Sequence, residues 1–462
     1  MPPEKSAYAL ARYSRSADSI RQSIEWVREH NTEQFLESFY FQYGHQSIAD
    51  LGHTVLCFEG VSELAASEIE DETLWDGQAK SSRYQDFSKS GFITPPELQV
   101  ADAETYVAAG NALLAAYGEI HARMTAYLKE KLPRPESMKE PAYNRNIAAR
   151  AFDVARYFLF WGVPTNVGQV TSIRTLEKQI RRLRVSPFAE VRELGLEIAQ
   201  ACGEPSACAW DLNHSEPLAP TLARHADPDE YGRQAHADLA VWAAANLRVA
   251  ETTPPRVDLF KPDDSLTEIA ATLLYPVCEY PFRNIYETVR DWSAARKVEV
   301  LDTAVRSRGA RDELLRGFRG GQYCFDMLID IGAYRDMHRH RRCHQYRQSY
   351  SGLHGYEAPP VLRDAGAEGI YRDAMDAALR TMHALPSPGR EYLLPFGARS
   401  RFLFKMDFAE VEYISRVRSG VKGHFSYREI AWEMKQRLAE IEPELARLID
   451  ATPPWIEDPL KR

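Results

Sequence analysis

Cationic side chains are concentrated in residues 333–350, which have the sequence AYRDMHRHRRCHQYRQSY. This segment contains five arginines and three histidines, although the chain has a formal net charge of -9. Guanidinium groups bind phosphate through paired hydrogen bonds and keep their charge at physiological pH, so the segment predicts an anion site. Two other interpretations stay open: a solvated helix end whose cations compensate the helix dipole, and a nucleic-acid patch. The patch would need broad basic surroundings, which the sequence lacks.

The elements that must position these side chains are mainly helical. Apolar residues recur at helical spacing in 101–132 and in 428–449. Short alternating apolar runs predict strands at 53–60 and 322–330. The cationic segment is expected to lie at the end of a helix over 332–341.

Acidic residues stand beside the cations. Asp330 and Asp336 lie within a few residues of the arginines. If the segment binds an anion, both carboxylates are expected to serve as internal counter-charges that orient the guanidinium groups.

Length and composition narrow the class of protein. A chain of 462 residues with 44% hydrophobic and 11% aromatic residues is typical of a packed globular protein of two or three domains. The six cysteines form no CxxC pair, so neither a zinc site nor a disulfide framework is predicted. The absence of an apolar signal core or a long apolar stretch predicts a cytoplasmic protein that does not span a membrane.

The chain contains two weakly similar halves. The pentapeptide LCFEG at Leu56 resembles YCFDM at Tyr323, and ARYFLFWG at Ala155 resembles part of GREYLLPFG at Gly389. These features occur in the same order at nearly equal spacing, which favours a duplication. The predicted division is 1–250 for the first half, a Pro- and Asp-rich linker over 251–265, and 266–462 for the second half.

The second half resembles the flavin-dependent thymidylate synthases (ThyX). Their signature begins with Arg-His-Arg, which Arg339, His340 and Arg341 match, and Ser349 matches its second serine. Elsewhere in this half the signature is altered, since Tyr346 and Arg347 stand where the family has Asn-Glu, and Ser351 stands in place of the last arginine.

The first half is similar to other parts of the same family. The segments ARYSRS and GHQSIADLGH resemble its flavin-contacting segments, and SSRY resembles the end of the signature. The resemblance assigns cofactor binding to Ser14, His45, Ser47, Asp50, Arg339, His340 and Arg341. It assigns nucleotide binding to Ser81, Arg83, Arg156, Arg339 and Arg418, and catalytic roles to Ser81 and Arg418.

The two halves keep complementary parts of the signature. Asp71, Glu72 and Thr73 stand where the first half would carry Arg-His-Arg. We therefore expect one composite site built from both halves. The reciprocal site is expected to be inactive, because carboxylates there would repel a phosphate.

The resemblance implies an activity and its partners. The expected reaction is conversion of dUMP to dTMP, with FAD as cofactor and with NADPH and methylenetetrahydrofolate as co-substrates. No metal, nucleic-acid or membrane partner is expected. Loss of the Asn-Glu pair leaves two alternatives: another uridine-like nucleotide or one-carbon donor, and a catalytically silent nucleotide- or flavin-binding protein.

The resemblance also implies the fold and assembly. The expected fold class is α/β (α+β) and helix-rich, with two ThyX-like repeats that each have a small, mainly antiparallel sheet flanked by helices. Because the family forms tetramers, a chain with two copies is expected to form a homodimer.

Overall fold

The computed structural model describes the chain except residues 43, 206–214, 251–253, 262–263, 309–314, 319–322, 447–448 and 461–462, and the side chains of 265, 444 and 445. The α-helices are α1 Pro3–Tyr13, α2 Ile20–Glu29, α3 Thr32–Leu36, α4 Glu63–Glu70, α5 Val100–Lys131, α6 Glu140–Ala155, α7 Ile173–Leu183, α8 Ala189–Gly203, α9 Pro220–Arg224, α10 Glu230–Asn246, α11 Ser265–Leu274, α12 Phe282–Arg290, α13 Ala294–Val305, α14 Ile331–Met337, α15 Pro360–Asp364, α16 Glu368–Ala384, α17 Phe408–Arg418, α18 Phe425–Ile441 and α19 Pro443–Ala446. The strands are β1 His53–Ser62, β2 Asp76–Ala79, β3 Pro164–Ser172, β4 Val257–Phe260, β5 Tyr323–Asp330, β6 His344–Arg347 and β7 Arg399–Met406. A π-helical turn spans Glu37–Gln42, and 3-10 turns span Gln46–Leu51, Arg156–Phe158, Tyr275–Val277, Arg316–Phe318 and Arg390–Leu393.

The chain divides into two compact units, each discontinuous in sequence. Unit 1 comprises Met1–Val61, Ala65–Lys80 and Thr165–Glu230. Unit 2 comprises Ser62–Leu64, Ser81–Pro164 and Tyr231–Arg462.

The sheet of unit 1 has the strand order β1-β3-β2, with β2 antiparallel to β3. Helix α7 follows β3 directly, and Ser172 caps it by accepting a hydrogen bond from the backbone N–H of Thr175. This cap satisfies an N–H that the first helical turn leaves without a partner. One face of α7 is apolar and buried and includes Leu176 and Ile180. Because α7 follows β3 without a loop, the strand determines where the helix begins.

The sheet of unit 2 has the strand order β4-β5-β7-β6, and each pairing is antiparallel. Apolar side chains of this sheet, such as Cys324 and Leu403, pack with Leu274 of α11 and Phe282 of α12 in one buried cluster. Strand β5 is buried along almost its whole length, because helices cover the sheet and exclude water from it.

The two sheets share a local plan. In each, the first long strand runs directly into a helix (β1 into α4, β5 into α14), and a central strand is followed by a capped helix (β3 into α7, β7 into α17). A four-residue strand, β2 or β6, pairs with the central strand from the far side. The helix-rich α+β class with two small antiparallel sheets is thereby confirmed.

Several local predictions need correction. Helix α14 ends at Met337, so His340 lies beyond the helix rather than within its last turn. The segment predicted as a linker contains β4, which pairs with β5, although its residues 251–253 and 262–263 lie outside the described part of the chain. The division of the sequence into halves stays a prediction. No helix among the described residues is both long and apolar enough to cross a membrane.

Candidate functional site

Arg83 is a buried arginine of unit 2 that holds a carboxylate. Its Nε donates to Asp153 Oδ1 at 2.7 Å and its Nη2 to Asp153 Oδ2 at 3.3 Å. The other Nη donates to the Tyr427 hydroxyl at 2.9 Å. Burial alone would lower the pKa of Arg83, but Asp153 outweighs it and the pKa is raised. Arg83 is therefore a permanent cation in a forked, oriented geometry.

Arg156 lies at the start of a 3-10 turn and is 1% exposed. One of its Nη groups donates to Asp336 Oδ2 at 3.0 Å. Its Nε and its other Nη are buried and have no hydrogen-bond partner among the described residues. A buried guanidinium with unmet donors is costly, so an acceptor from a ligand would be favourable at this position.

Arg418 is held by a histidine rather than by a carboxylate. Its Nε lies 2.7 Å from His340 Nε2, and His340 Nδ1 lies 3.3 Å from Glu410 Oε1. An arginine N–H can only donate, so His340 Nε2 accepts and its Nδ1 carries the proton toward Glu410. Burial lowers the pKa of His340, which keeps the ring in this neutral form despite the opposing influence of Glu410.

One tyrosine connects these groups. The Arg83 guanidinium lies 5.8 Å and the Arg418 guanidinium 5.7 Å from the centre of the Tyr427 ring. Both distances are within the range of cation–π attraction. Arg83 lies in the predicted first half of the sequence and Arg418 in the predicted second half, and both belong to unit 2.

The Ser-x-Arg segment is arranged by its own backbone. Ser81 Oγ accepts from the backbone N–H of Arg83 at 3.3 Å, which is a turn contact. The neighbouring Ser82 is buried and accepts from Arg335 at 3.1 Å, and Arg335 also pairs with the buried Glu63. Sequence reasoning missed Arg335 and Ser82, although Arg335 stands inside the cationic segment.

The remaining cations of the signature, Arg339 and Arg341, are half-buried and flank the buried His340. Both ring nitrogens of His340 make hydrogen-bond contacts within the protein, and one of them orients Arg418. The predicted flavin contact of His340 stays a prediction.

The cofactor residues predicted in the first half lie in unit 1. Ser14, His45 and Ser47 are exposed, and His45 Nδ1 lies 3.3 Å from an Nη of Arg15. The fourth, Asp50, accepts from Arg174 at 2.9 Å and is therefore already paired. The roles of these four residues stay predictions.

Two sequence expectations concern residues near the site. Asp336 does serve as a counter-charge, to Arg156, and the arginines and burial together leave its pKa lowered. Asp330 caps α14 through the backbone N–H of Ala333 and also accepts from Ser426. Burial raises the pKa of Asp330 despite the nearby Arg156. The pKa values of the two carboxylates are therefore shifted in opposite directions.

Two of the described cysteines, Cys202 and Cys278, are poorly suited to nucleophilic chemistry. Burial raises the pKa of the Cys202 and Cys278 thiols to about 12. Buried thiols with raised pKa values remain protonated and are poor nucleophiles. No group of His, Cys, Asp and Glu suited to a metal ion occurs among the described residues.

Comparison with known proteins identifies relatives along both halves. A family model described as "Thymidylate synthase complementing protein" matches residues 1–204 and 259–444, and this two-segment match fits the two-half arrangement. A UPF0159 protein of Chlamydia muridarum is 26% identical over 422 residues, covering 87% of this chain and 77% of the relative. The UPF0159 protein Ta1429 of Thermoplasma acidophilum is 23% identical over 486 residues, covering 95% and 93%.

Two solved structures are similar to part of the chain. Both are thymidylate synthase X from Helicobacter pylori with FAD and dUMP. One is 16% identical with a TM-score of 0.29 and covers 43% of this chain and 88% of that chain. The other is 13% identical with a TM-score of 0.23 and covers 42% and 98%.

Proposed function

The chain belongs to the thymidylate synthase complementing protein family, and on this premise we propose that it is a flavin-dependent methyltransferase acting at C5 of a deoxyuridine monophosphate. The observation that carries the proposal is the convergence of cations from both sequence halves in unit 2. Arg83 and Arg418 share Tyr427, and the charges of Arg83, Arg156 and Arg418 all act on Asp336.

Arg156 and Arg83 are the proposed phosphate-binding residues. Arg156 offers two buried N–H donors to a phosphate, and Arg83 adds positive charge beside it. The Arg83 guanidinium is held in place by Asp153 and therefore needs little reorganisation when an anion arrives.

Arg418 is the proposed electrostatic catalyst. It makes a single hydrogen bond within the described part of the chain, through Nε to His340, so its Nη groups can donate to a pyrimidine carbonyl. A fixed donor at that carbonyl would stabilise the negative charge that develops there as C5 reacts. Ser81 would bind the nucleotide by a hydrogen bond.

The family implies FAD, and the residues of unit 2 fit it in part. Arg339 and Arg341 are half-buried cations that could hold an anionic dinucleotide, whereas His340 is engaged elsewhere. FAD reduced by NADPH would supply the hydride, and methylenetetrahydrofolate the carbon. The protein would bind and orient these groups.

A changed substrate is the second candidate. Tyr346 and Arg347 stand where the family has Asn-Glu, and Asp336 places a carboxylate against the predicted phosphate-binding Arg156. These differences favour another uridine-like nucleotide if dUMP fails to bind.

Three measurements test the proposal in order. The purified protein is expected to show flavin absorbance or to acquire it with added FAD. It should then bind dUMP in a calorimetric titration and complement a thymidine-requiring strain. A colourless protein that takes up neither FAD nor dUMP would contradict the proposal, and binding of FAD without binding of dUMP would favour the changed substrate. The homodimer and the cytoplasmic location remain predictions.

A further inference from the structure

Asp336 is the counter-ion at the centre of the arginine cluster. It is the penultimate residue of α14, where the helix dipole disfavours a carboxylate. Its side chain is 19% exposed, while the Arg156 side chain that it contacts is 1% exposed. Solvent can therefore reach the Asp336 carboxylate, whereas the Arg156 guanidinium is buried.

The pairing between these two residues is incomplete. Arg156 can donate five N–H bonds in a fixed fork, but only one of its nitrogens donates to Asp336, at 3.0 Å. The Nε and the other Nη lack hydrogen-bond partners among the described residues. Gly332 leaves room for this guanidinium, since a Cβ at that position would lie only 3.0 Å from the unpaired Nη.

The surrounding charges act on the same carboxylate. Burial would raise the pKa of Asp336, but Arg156, Arg83 and Arg418 together leave it lowered. Arg83 has its own counter-ion in Asp153, and Arg418 is bonded to the neutral His340. Asp336 is thus an ionised group in a field that would equally attract a ligand anion.

We propose that Asp336 is a specificity-determining residue, a built-in anion that occupies the arginine cluster and competes with the phosphate of the ligand. A phosphate monoester must displace this carboxylate to reach Arg156, so only a ligand with further contacts from its nucleoside can bind well. The identity of the nucleoside rests on the proposed function. The competition between Asp336 and a phosphate depends only on the arginine cluster.

The test is the affinity of inorganic phosphate, dUMP and deoxyuridine for the full-length protein, measured by calorimetry. Asp336→Asn removes the competing charge and keeps the shape of the side chain. We expect phosphate and dUMP to bind at least roughly ten-fold more tightly to this variant, since a like charge has been removed from beside the bound anion. Deoxyuridine, which carries no phosphate, should bind as it does to the unaltered chain.

Asp373→Asn is the matched control. It makes the same change of net charge on the exposed face of α16, so its phosphate affinity should not change. Asp336→Ser is a second neutral variant in case Asp336→Asn fails to fold. Unchanged or weaker phosphate binding in the folded variant, or failure of both variants to fold, would overturn the proposal. Tighter phosphate binding without binding of dUMP or deoxyuridine would support competition by Asp336 and would contradict deoxyuridine as the nucleoside of the ligand.

Discussion

Two arginines near the ends of corresponding helices differ in what holds them. In unit 1, Arg182 of α7 pairs with Glu72 at 2.9 Å and Glu68 at 3.3 Å. In unit 2, Arg418 of α17 bonds to the neutral ring of His340 at 2.7 Å. In the correspondence predicted from the sequence, Glu72 stands at the middle position of the Arg-His-Arg signature that His340 occupies in the second half.

The difference gives a physical reason for the prediction that the reciprocal site is inactive. Two carboxylates neutralise Arg182 and use its donors, whereas a neutral imidazole orients Arg418 without cancelling its charge. A ligand anion is thus repelled at the first position and attracted at the second.

The largest expected effect is on stability. Arg156→Leu should lower the free energy of unfolding by about 3–5 kcal/mol, because it leaves Asp336 without its ion-pair partner. Arg182→Leu should cost less, because the Arg182 side chain is 27% exposed whereas that of Arg156 is 1% exposed. Denaturant unfolding of both variants checks this contrast, and equal losses would contradict it.

Catalysis should depend on only one of the two compared arginines. Arg418→Ala is expected to lower the rate of dTMP formation roughly 100- to 1,000-fold, as removal of a fixed charge-stabilising donor does. Arg182→Ala should retain the rate, because its guanidinium is already neutralised by Glu68 and Glu72. The assay contains dUMP, FAD, NADPH and methylenetetrahydrofolate. A similar fall of the rate in both variants would contradict the different roles assigned to Arg418 and Arg182.

The neutral state of His340 makes the stability of the folded chain depend on pH. Its folded pKa lies below the ordinary value of 6.5 because of burial, so the unfolded chain binds the proton more readily. The stability that the neutral ring contributes is present above pH 6.5 and is lost as the pH falls through the folded pKa.

The variant His340→Gln isolates this dependence, because its amide can accept from Arg418 and donate to Glu410 without titrating. Unfolding free energies measured between about pH 7 and pH 5 should fall more steeply for the unaltered chain than for the variant. Glu410, Arg341 and Arg418 face the ring and remain in both proteins. A steeper fall in the variant would mean that His340 is charged.

The smallest effect is expected in the first copy. Glu72→Gln removes one partner of Arg182, but Glu68 remains and the cluster is partly exposed. The free energy of unfolding should change by about 1 kcal/mol or less. Calorimetry should detect no added dUMP site, and a new site would show that Glu72 alone suppresses binding.

The sequence predicted the elements better than their contacts. The apolar spacing of 101–132 predicts α5, and the alternation after 322 predicts β5, because those patterns depend on local burial. The helix over 332–341 was wrong at its end, since α14 ends at Met337. No pattern could reveal that Arg156 faces Asp336, because that contact joins residues far apart in the chain. The sequence predicts a functional role for His340, which stays a prediction, but it does not reveal the contact between His340 and Glu410.

The number of nucleotides bound by each chain tests the central claim most directly. Calorimetric titration with dUMP is predicted to give one site per chain, lost or greatly weakened in Arg418→Ala and unchanged in Arg182→Ala. Two sites per chain, or loss of binding in Arg182→Ala with retention in Arg418→Ala, would contradict the assignment of the single site to the cluster around Arg418.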